Sequence, residues 1–546
     1  MKISVNYLFE NFNRTIGGEC DSSKTFETDE ALLSVEISDE RIKVEFTPKK
    51  NVLIINTKAI LKQEYQETDR LFFNGYQDWS FSYEDTIKTR NAGINKMPFK
   101  SYTVNKLHLD RYGDGHFVEY DDKEGVNHGW SYFYIRNQKN YKLFGSLNED
   151  FAFTRFKVNT KENILSIIPD IEKYEADKKF TVLDVCVLNG LEDEVFDKWF
   201  EMMGIKKPNC EPIIGYTSWY NHYQDINEDI IVKDFKGIDA LPQKIDVFQI
   251  DDGYETYVGD WLNTDKNKFP NGLKPTVEAI HAKGFKAGLW LAPFCAEEKS
   301  EVYKNHRDWF VKDKDGSPLK CGCNWSGYYA LDIYNKEVVK YLEKVFDIIL
   351  NDYGFDLVKL DFLYSACVYA RKDKPRGQIM ADGMKLLRRL CGDKQILGCG
   401  VPLASCFGRV EYCRVGCDVS LSYDDVFYMH FLHPERNSTK RTMIDSIARR
   451  HLDGRAFYND PDVFILRDKN VKLSAAEKEK LATVNGLFGS VLFMSDDASL
   501  YDDKKMNLYK KILKLRGRVR DVELIGNKLT VKYEYENNLE ELSIEL

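Results

Sequence analysis

The stretch LVKLDFLY at residues 357–364 is an apolar run that carries two opposite charges two positions apart. Side chains alternate between the two faces of a strand, so Lys359 and Asp361 are expected to share one face. Burying such a pair costs free energy unless the two charges are well matched to their surroundings. The stretch therefore predicts a buried strand that points a lysine and an aspartate at one site, with a purely structural ion pair as the alternative.

The region around this strand, residues 191–494, alternates buried strands with amphipathic helices. This alternation predicts a (β/α)8 TIM barrel. The eight predicted strands lie at residues 213–219, 245–250, 287–292, 329–333, 357–362, 396–400, 415–419 and 456–459. The clearest predicted helices lie at residues 228–239, 336–353, 379–391 and 440–451.

The two flanks of the barrel have a different pattern, in which short alternating segments are separated by turn residues. In residues 1–190 this pattern predicts an N-terminal antiparallel β-sandwich domain. In residues 495–546 it predicts a small C-terminal antiparallel β domain. The expected fold class is thus a multidomain α/β and β protein with a central catalytic barrel.

Composition narrows the range of partners. The 546 residues are 43% hydrophobic and carry a formal net charge of -9, which argues against nucleic acid or an anionic membrane as a partner. No long apolar run and no export-type leader are evident, so we expect a cytoplasmic protein. The twelve cysteines lack the spacing of a zinc site and are expected to be reduced thiols. The sequence predicts neither a metal nor another cofactor.

Chemistry in such a barrel takes place at the carboxyl ends of the strands. Polar and aromatic residues collect at those ends: Trp219, Asp251, Asp252, Trp290, Lys359, Asp361, Cys399, Arg414 and Asp418. Acids combined with aromatic rings, without a glycine-rich phosphate loop, are typical of a sugar site. Taken singly, the Asp-Asp-Gly at residues 251–253 could be only a turn, and each Trp could be only a core residue.

Six motifs in the same order resemble the α-galactosidases of glycoside hydrolase family 36, the melibiase group of clan D. They are Asn74-Gly75-Tyr76-Gln77-x-Trp79-Ser80, Gln249-Ile250-Asp251-Asp252-Gly253-Tyr254 with Gly259-Asp260-Trp261, Gly288-Leu289-Trp290-Leu291-Ala292-Pro293, Lys359-x-Asp361, Gly398-Cys399-Gly400-x-Pro402-Leu403, and Arg414-x-x-x-Asp418. The resemblance covers nearly the whole chain.

The resemblance implies a retaining glycosidase with a covalent galactosyl-enzyme intermediate. Asp361 would be the nucleophile and Asp418 the acid/base, with carboxyl groups roughly 5–5.5 Å apart. Lys359 would keep Asp361 ionised, and Arg414 would orient a hydroxyl or the acid itself.

The resemblance also implies a set of substrate-binding residues. They are Asp251 and Asp252 at the 4- and 6-hydroxyls, Trp219 and Trp290 as walls, Lys359, Cys399, Gly400, Arg414, and Trp79 as the residue that closes the pocket. The expected partner is an α-galactoside oligosaccharide, and the expected assembly is a monomer or small homo-oligomer. One residue departs from the pattern, because Asp78 stands at the pocket rim where relatives usually carry serine.

Other functions remain open at this point. A related enzyme could transfer galactose to a sugar acceptor, as raffinose synthases do, or act on α-N-acetylgalactosamine. Lys359 could instead form a Schiff base in an aldolase-like barrel, although Asp361 beside it would hold the ammonium charged. A sugar-binding module without catalysis is a further alternative, against which the presence of two carboxylates argues.

Overall fold

The computed structural model describes residues 1–93, 111, 113–424, 437–525 and 528–545. Two antiparallel sheets form the N-terminal part. Its strands are β1 (Lys2–Phe9), β2 (Phe12–Glu19), β3 (Lys24–Glu27), β4 (Ala31–Ile37), β5 (Arg41–Pro48), β6 (Val52–Lys62), β7 (Arg70–Phe73), β8 (Tyr83–Thr86), β9 (Val126–Trp130), β10 (Tyr132–Asn137), β11 (Asn140–Ser146), β12 (Thr154–Asn159), β13 (Ile164–Pro169), β14 (Glu175–Ala176) and β15 (Phe180–Leu191).

The order of the first sheet is β2-β1-β6-β13-β12-β9, with β14 also paired to β6, and the order of the second is β3-β4-β5-β15-β11-β10-β7-β8. Buried and partly exposed residues alternate along β5 and β12, because each sheet turns one face toward the other. This arrangement is the predicted sandwich.

A parallel sheet follows the sandwich. The strands of the middle region are β16 (Ile213–Thr217), β17 (Val247–Ile250), β18 (Lys286–Leu291), β19 (Cys295–Glu297), β20 (Lys320–Gly322), β21 (Tyr328–Ala330), β22 (Leu357–Leu360), β23 (Gln395–Gly398), β24 (Tyr412–Arg414), β25 (Tyr458–Asp460), β26 (Val463–Phe464) and β27 (Val491–Met494). Its helices are α1 (Glu192–Met202), α2 (Trp219–His222), α3 (Glu228–Ile238), α4 (Lys274–Ala282), α5 (Glu301–Asn305), α6 (Lys336–Asp347), α7 (Arg376–Cys391), α8 (Thr439–Ala448) and α9 (Ala475–Phe488).

The parallel sheet closes on itself. Its strand order is β25-β24-β23-β22-β18-β17-β16-β27-β26. The two end strands, β25 and β26, are consecutive in the chain and are separated only by Pro461 and Asp462, so together they occupy one position of the ring. The N–H of Ser490, just before β27, also donates to the carbonyl of Asn459 in β25 at 2.9 Å. Counted this way the barrel has eight positions, as the TIM-barrel prediction requires.

Two of the predicted barrel strands are wrong, and a third, at 456–459, occupies a different position in the ring. The segment at 329–333 is not the fourth barrel strand, because β21 pairs antiparallel with β19 and β20 in a separate small sheet. β18 therefore pairs directly with β22, and the Lys359 strand is the fourth rather than the fifth. The segment at 415–419 follows β24 rather than forming a strand.

The ring also has a different eighth strand from the one predicted. The predicted strand at 456–459 overlaps β25 and occupies the seventh position, while β27 is the eighth strand and was not predicted. Alternation and apolar content identify a strand but do not identify the strand with which it pairs.

The chain ends with helix α10 (Asp503–Ile512) and an antiparallel sheet of β28 (Val519–Ile525), β29 (Lys528–Tyr535) and β30 (Asn538–Glu545). The division into three domains at residues 190 and 494 stays a prediction. Within the described ranges, no helix combines the length and the apolar character needed to cross a bilayer.

The sandwich is joined to the barrel by a buried contact that positions one loop of the sandwich. The guanidinium of Arg449, after α8, donates to the carbonyls of Asp78 at 2.6 Å and Gln77 at 2.8 Å and to Oδ1 of Asn74 at 2.9 Å. This loop, residues 74–80, is thereby held at the carboxyl ends of the barrel strands.

Candidate active site

Asp361 lies directly after β22, at the carboxyl end of the fourth barrel strand. Its Oδ2 accepts a hydrogen bond from Nε1 of Trp290 at 3.0 Å, and its Oδ1 accepts one from the backbone N–H of Phe362 at 2.8 Å. Phe362 has a φ of 53°, so the chain turns sharply away after the strand. Burial raises the pKa of Asp361, although the charge of Lys359 and the Trp290 hydrogen bond act to lower it. The carboxyl group is thus oriented by two donors in a nearly dry site.

Lys359 forms an ion pair with Asp251 rather than with Asp361. Its Nζ lies 3.0 Å from Oδ2 of Asp251, and both side chains are buried. Burial is the largest single effect and acts to lower the pKa of Lys359, but the negative charges around it, that of Asp251 first, together outweigh burial, so the pKa of Lys359 is raised. The lysine is therefore a cation held between two acids, bonded to one and acting on the other through its charge.

The adjacent acids after β17 have different partners. Oδ2 of Asp251 also accepts hydrogen bonds from Nε2 of Gln249 at 2.8 Å and from Oγ1 of Thr217 at 3.2 Å. Oδ2 of Asp252 accepts from Nε1 of Trp325 and Nε2 of Gln224, each at 2.9 Å. Both carboxyl groups are buried and fixed in orientation, which is more than an Asp-Asp-Gly turn requires.

Arg414 and Asp418 are brought together as predicted, since Nη1 of Arg414 lies 2.9 Å from Oδ1 of Asp418. The two differ in exposure, because the Arg414 side chain is 2% exposed and that of Asp418 is 45% exposed. Arg414 also contacts two buried acids, Asp462 at 3.0 Å and Asp460 at 3.4 Å. The arginine is a buried anchor for a carboxyl group that faces the solvent side of the mouth.

The two candidate catalytic carboxyl groups act on each other. The charge of Asp418 is one of the effects that raise the pKa of Asp361. One of them is buried and held by neutral donors, while the other is exposed and bound to a cation. Carboxyl groups in such unlike surroundings can take different roles, one as a base or nucleophile and one as a proton carrier.

Aromatic residues surround these acids, and the predicted ones differ in position. Trp290 is buried and contacts Asp361 through its N–H. Trp79 packs edge-on against Phe362, with ring centroids 5.1 Å apart, and Trp219 packs edge-on against Tyr223 at 5.1 Å. Trp79 and Trp219 are only partly buried, as expected of residues at the entrance.

Cys399 and Gly400 lie after β23, beside Asp361. The thiol of Cys399 is buried, and burial raises its pKa well above the usual value. Gly400 has a φ of 57°, and a Cβ at this position would lie 2.7 Å from the backbone nitrogen of Phe362 and 3.0 Å from Oδ1 of Asp361. Glycine is therefore required here by both conformation and space.

The expectation that Asp78 stands at the pocket rim is wrong, because its side chain is fully buried. Its Oδ2 accepts a hydrogen bond from the N–H of Gly400 at 3.0 Å, and its Oδ1 accepts one from the N–H of Val401 at 2.6 Å. Burial raises the pKa of Asp78 to about 8, and the charge of Asp361 adds to this effect. The sandwich thus supplies a carboxyl group that supports the turn behind the candidate nucleophile.

Three further residues of the site were not predicted: Trp325, Asp460 and Asp462. Asp460 is the last residue of β25 and Asp462 follows it, so the rule that located the other acids at strand ends could have located them. Trp325 lies in the connection between β20 and β21, for which the sequence shows no comparable signal.

The sequence signature of the Melibiase family matches residues 188–376. The α-galactosidase Mel36A of Lactobacillus acidophilus is 25% identical over 314 residues, which cover 54% of this chain and 40% of that protein. A Flavonifractor plautii protein named A type blood α-D-galactosamine galactosaminidase is 34% identical over 145 residues, which cover 23% of this chain and 13% of that protein. The chain therefore spans less than half the length of these curated relatives.

Solved structures share the fold over nearly the whole chain. An α-galactosidase from Thermus thermophilus, in complex with p-nitrophenyl α-D-galactopyranoside, superposes with a TM-score of 0.71 at 22% identity and covers 99% of this chain and 98% of its own. The family 36 α-galactosidase AgaA from Geobacillus stearothermophilus gives a TM-score of 0.61 at 11% identity, covering 96% of this chain and 73% of its own. The resemblance inferred from the motifs and the predicted fold class are both confirmed.

Proposed function

We propose that this chain is a glycoside hydrolase of the melibiase family and removes terminal non-reducing α-D-galactosyl residues from oligosaccharides. The observation that carries the proposal is the pairing of a buried Asp361, oriented by Trp290 and the backbone of Phe362, with an exposed Asp418 bound to Arg414. Cleavage of an acetal with retention needs two carboxyl groups of this kind.

In the proposed mechanism, a carboxylate oxygen of Asp361 attacks the anomeric carbon while Asp418 donates its proton to the leaving oxygen. The bond to the aglycone breaks and a covalent galactosyl ester of Asp361 forms. Asp418, now ionised, takes a proton from water, and the resulting hydroxide attacks the same carbon and releases galactose with its original configuration. The carboxyl separation of roughly 5–5.5 Å that this mechanism requires stays a prediction.

The sugar would be held by the charged groups around the nucleophile. Lys359 lies near the end of β22, and Asp251 and Asp252 follow β17, with β18 between these two strands. Carboxylates there can accept charge-assisted hydrogen bonds from the 4- and 6-hydroxyls. Galactose and glucose differ only in the direction of the 4-hydroxyl, so these contacts would decide between them.

The test is hydrolysis of p-nitrophenyl α-D-galactopyranoside beside the matching α-glucoside, with the first sugar product observed by proton NMR. We expect hydrolysis of the galactoside alone and release of the α-anomer. Asp361→Ala should abolish turnover, and Glu149→Gln, which changes a buried acid of the sandwich, should leave it intact. Release of the β-anomer, or full activity of Asp361→Ala, would exclude the retaining mechanism on Asp361.

A second candidate substrate is favoured by one relative, whose name refers to a galactosamine sugar. The family resemblance implies that Cys399 lies at the 2-hydroxyl side of the ring. A 2-acetamido group needs more room beside this buried thiol than a hydroxyl does, so we propose plain galactose. Comparing the p-nitrophenyl α-glycosides of galactose and N-acetylgalactosamine decides this, and activity on the acetamido sugar alone would overturn our choice.

Transfer of galactose to a sugar acceptor is the other alternative. Adding sucrose as an acceptor and separating the products measures transfer against hydrolysis.

The proposal includes a cytoplasmic location and a monomer or small homo-oligomer. Light scattering coupled to size-exclusion chromatography measures the oligomeric state, and cell fractionation measures the location.

A further inference from the structure

Glu255 is a buried acid beside the substrate-binding residues, and the proposed mechanism does not use it. It follows the Asp251-Asp252 pair after β17, and its side chain is 6% exposed. The N–H of Gly253 donates to its Oε2 at 3.4 Å, and its carboxyl group is near enough to that of Asp252 for a hydrogen bond if one of the two carries a proton. Two buried carboxyl groups thus lie side by side.

One oxygen of each carboxyl group lacks a donor. In the part of the chain that the structure describes, Oδ1 of Asp252 and Oε1 of Glu255 are buried without a hydrogen-bond partner. Two neighbouring carboxylates in a dry site repel each other, and leaving both acceptors unsatisfied adds a further cost. A single proton between them removes both costs, because one acid then donates to the other.

The surrounding donors indicate which acid holds the proton. Oδ2 of Asp252 already accepts from Trp325 and Gln224, and both bonds favour its ionised form. Glu255, by contrast, accepts a long bond from the backbone N–H of Gly253 at 3.4 Å. Burial and the negative charge of Asp252 raise the pKa of Glu255 well above its usual value.

The other charged and titratable groups around the pair are already paired. Asp251 is bound to Lys359 at 3.0 Å. Nζ of Lys268 lies against the carbonyls of Gly253 at 2.9 Å and Gln224 at 2.7 Å, and the hydroxyl of Tyr254 donates to the carbonyl of Trp290 at 3.2 Å.

We propose that Glu255 carries a proton that it donates to Asp252, and that it thereby acts as a positioning residue that holds Asp252 as an acceptor for a hydroxyl of the galactosyl ring. This inference rests on the function proposed above. With Glu255 as a donor on one side and Trp325 and Gln224 on the other, the Asp252 carboxylate is held at both oxygens and is fixed in orientation.

The inference predicts a specific pH dependence of substrate binding. When Glu255 loses its proton at alkaline pH, Asp252 loses a donor and gains a negative neighbour, so KM should rise with pH. In Glu255→Gln the amide still donates but cannot ionise, so this alkaline rise in KM should disappear. Glu255→Ala removes the donor, and we expect KM to be about tenfold higher already at neutral pH.

The experiment is to measure kcat and KM against pH for p-nitrophenyl α-D-galactopyranoside with these two variants and with Glu149→Gln. Glu149 is a buried acid of the sandwich that accepts hydrogen bonds from Ser131 and Thr154 at 2.7 and 2.9 Å, so its amide variant is a matched control. We expect it to keep the alkaline rise in KM. An alkaline rise that persists in Glu255→Gln, or that is missing from the wild type, overturns the inference.

A second measurement separates this inference from the proposed function. Infrared difference spectra of wild type against Glu255→Gln at neutral pH should show the carbonyl band of a protonated carboxylic acid, shifted in D2O, in the wild type only. If the protein hydrolyses no galactoside, the proposed function fails while this band still reports the proton. If the band is absent, the shared proton is excluded whatever the activity.

Discussion

Replacing Asp78 by Ala tests whether the sandwich positions the nucleophile of the barrel. The change removes both acceptors of the buried N–H groups of Gly400 and Val401. A buried donor left without a partner costs about 1–3 kcal/mol, so the loss of stability for two donors should be about 2–6 kcal/mol. The same turn contacts the nucleophile, because a Cβ on Gly400 would lie 3.0 Å from Oδ1 of Asp361. A displacement of about 1 Å can cost about a hundredfold in rate, so kcat should fall by about ten- to a hundredfold.

The assay combines two measurements. The midpoint of urea unfolding is followed by tryptophan fluorescence, and kcat on p-nitrophenyl α-D-galactopyranoside is measured without urea at a temperature where the protein is folded. Glu149→Ala is the matched control, because Glu149 is also a buried acid that accepts a backbone N–H, that of Thr154 at 2.9 Å. Both variants should lose stability, but only Asp78→Ala should lose kcat. Equal kcat in the two folded variants would refute a role for Asp78 in positioning Asp361.

Three further changes test the residues around the nucleophile. Lys359→Met leaves Asp251 buried without its cation, so the protein should lose about 3–5 kcal/mol of stability in denaturant titrations. Because Asp361 must be ionised to act and Lys359 lowers its pKa, the acid limb of kcat/KM should move to higher pH in the same variant; an unmoved limb would contradict this. Asp418→Ala should reduce kcat/KM for raffinose by about a hundred- to ten-thousandfold, but kcat/KM for p-nitrophenyl galactoside far less, since the first step with that leaving group needs no proton. Gly400→Ala should lower both the unfolding midpoint and kcat, at a backbone cost of about 1–3 kcal/mol, and normal kcat would show that the turn tolerates a side chain.

The architecture was predictable from the sequence because sandwich and barrel have different periodicities, but the order of the barrel strands was not. The segment at 329–333 has the composition of a barrel strand, yet β21 pairs antiparallel outside the barrel. The seventh position is split at Pro461, which lacks the N–H that a continuous ladder would need. Periodicity reports which residues are buried, whereas strand order depends on long-range pairing that the pattern does not contain.

Which of the proposed site residues lie close together was predictable where they sit at the end of a barrel strand and not elsewhere. Asp251, Asp361 and Arg414 were found because the carboxyl ends of parallel strands meet at one face. Trp325 was missed since it reaches Asp252 from a connection between strands. Asp78 was placed at the rim because the sequence does not show that another chain segment covers it.

The charge balance at the mouth of the barrel explains why the fourth strand, β22, carries a lysine beside the candidate nucleophile. Asp251, Asp361 and the Asp252-Glu255 pair, if it shares one proton, contribute three negative charges, and Lys359 contributes one positive charge. A transition state in glycoside cleavage develops positive charge at the anomeric carbon, so an excess of fixed negative charge stabilises it before the covalent bond forms. Lys359 then has two effects, because it keeps Asp361 ionised through its charge and prevents Asp251 from adding a further unpaired negative charge. A lysine and an aspartate on one strand face can therefore serve catalysis without bonding to each other.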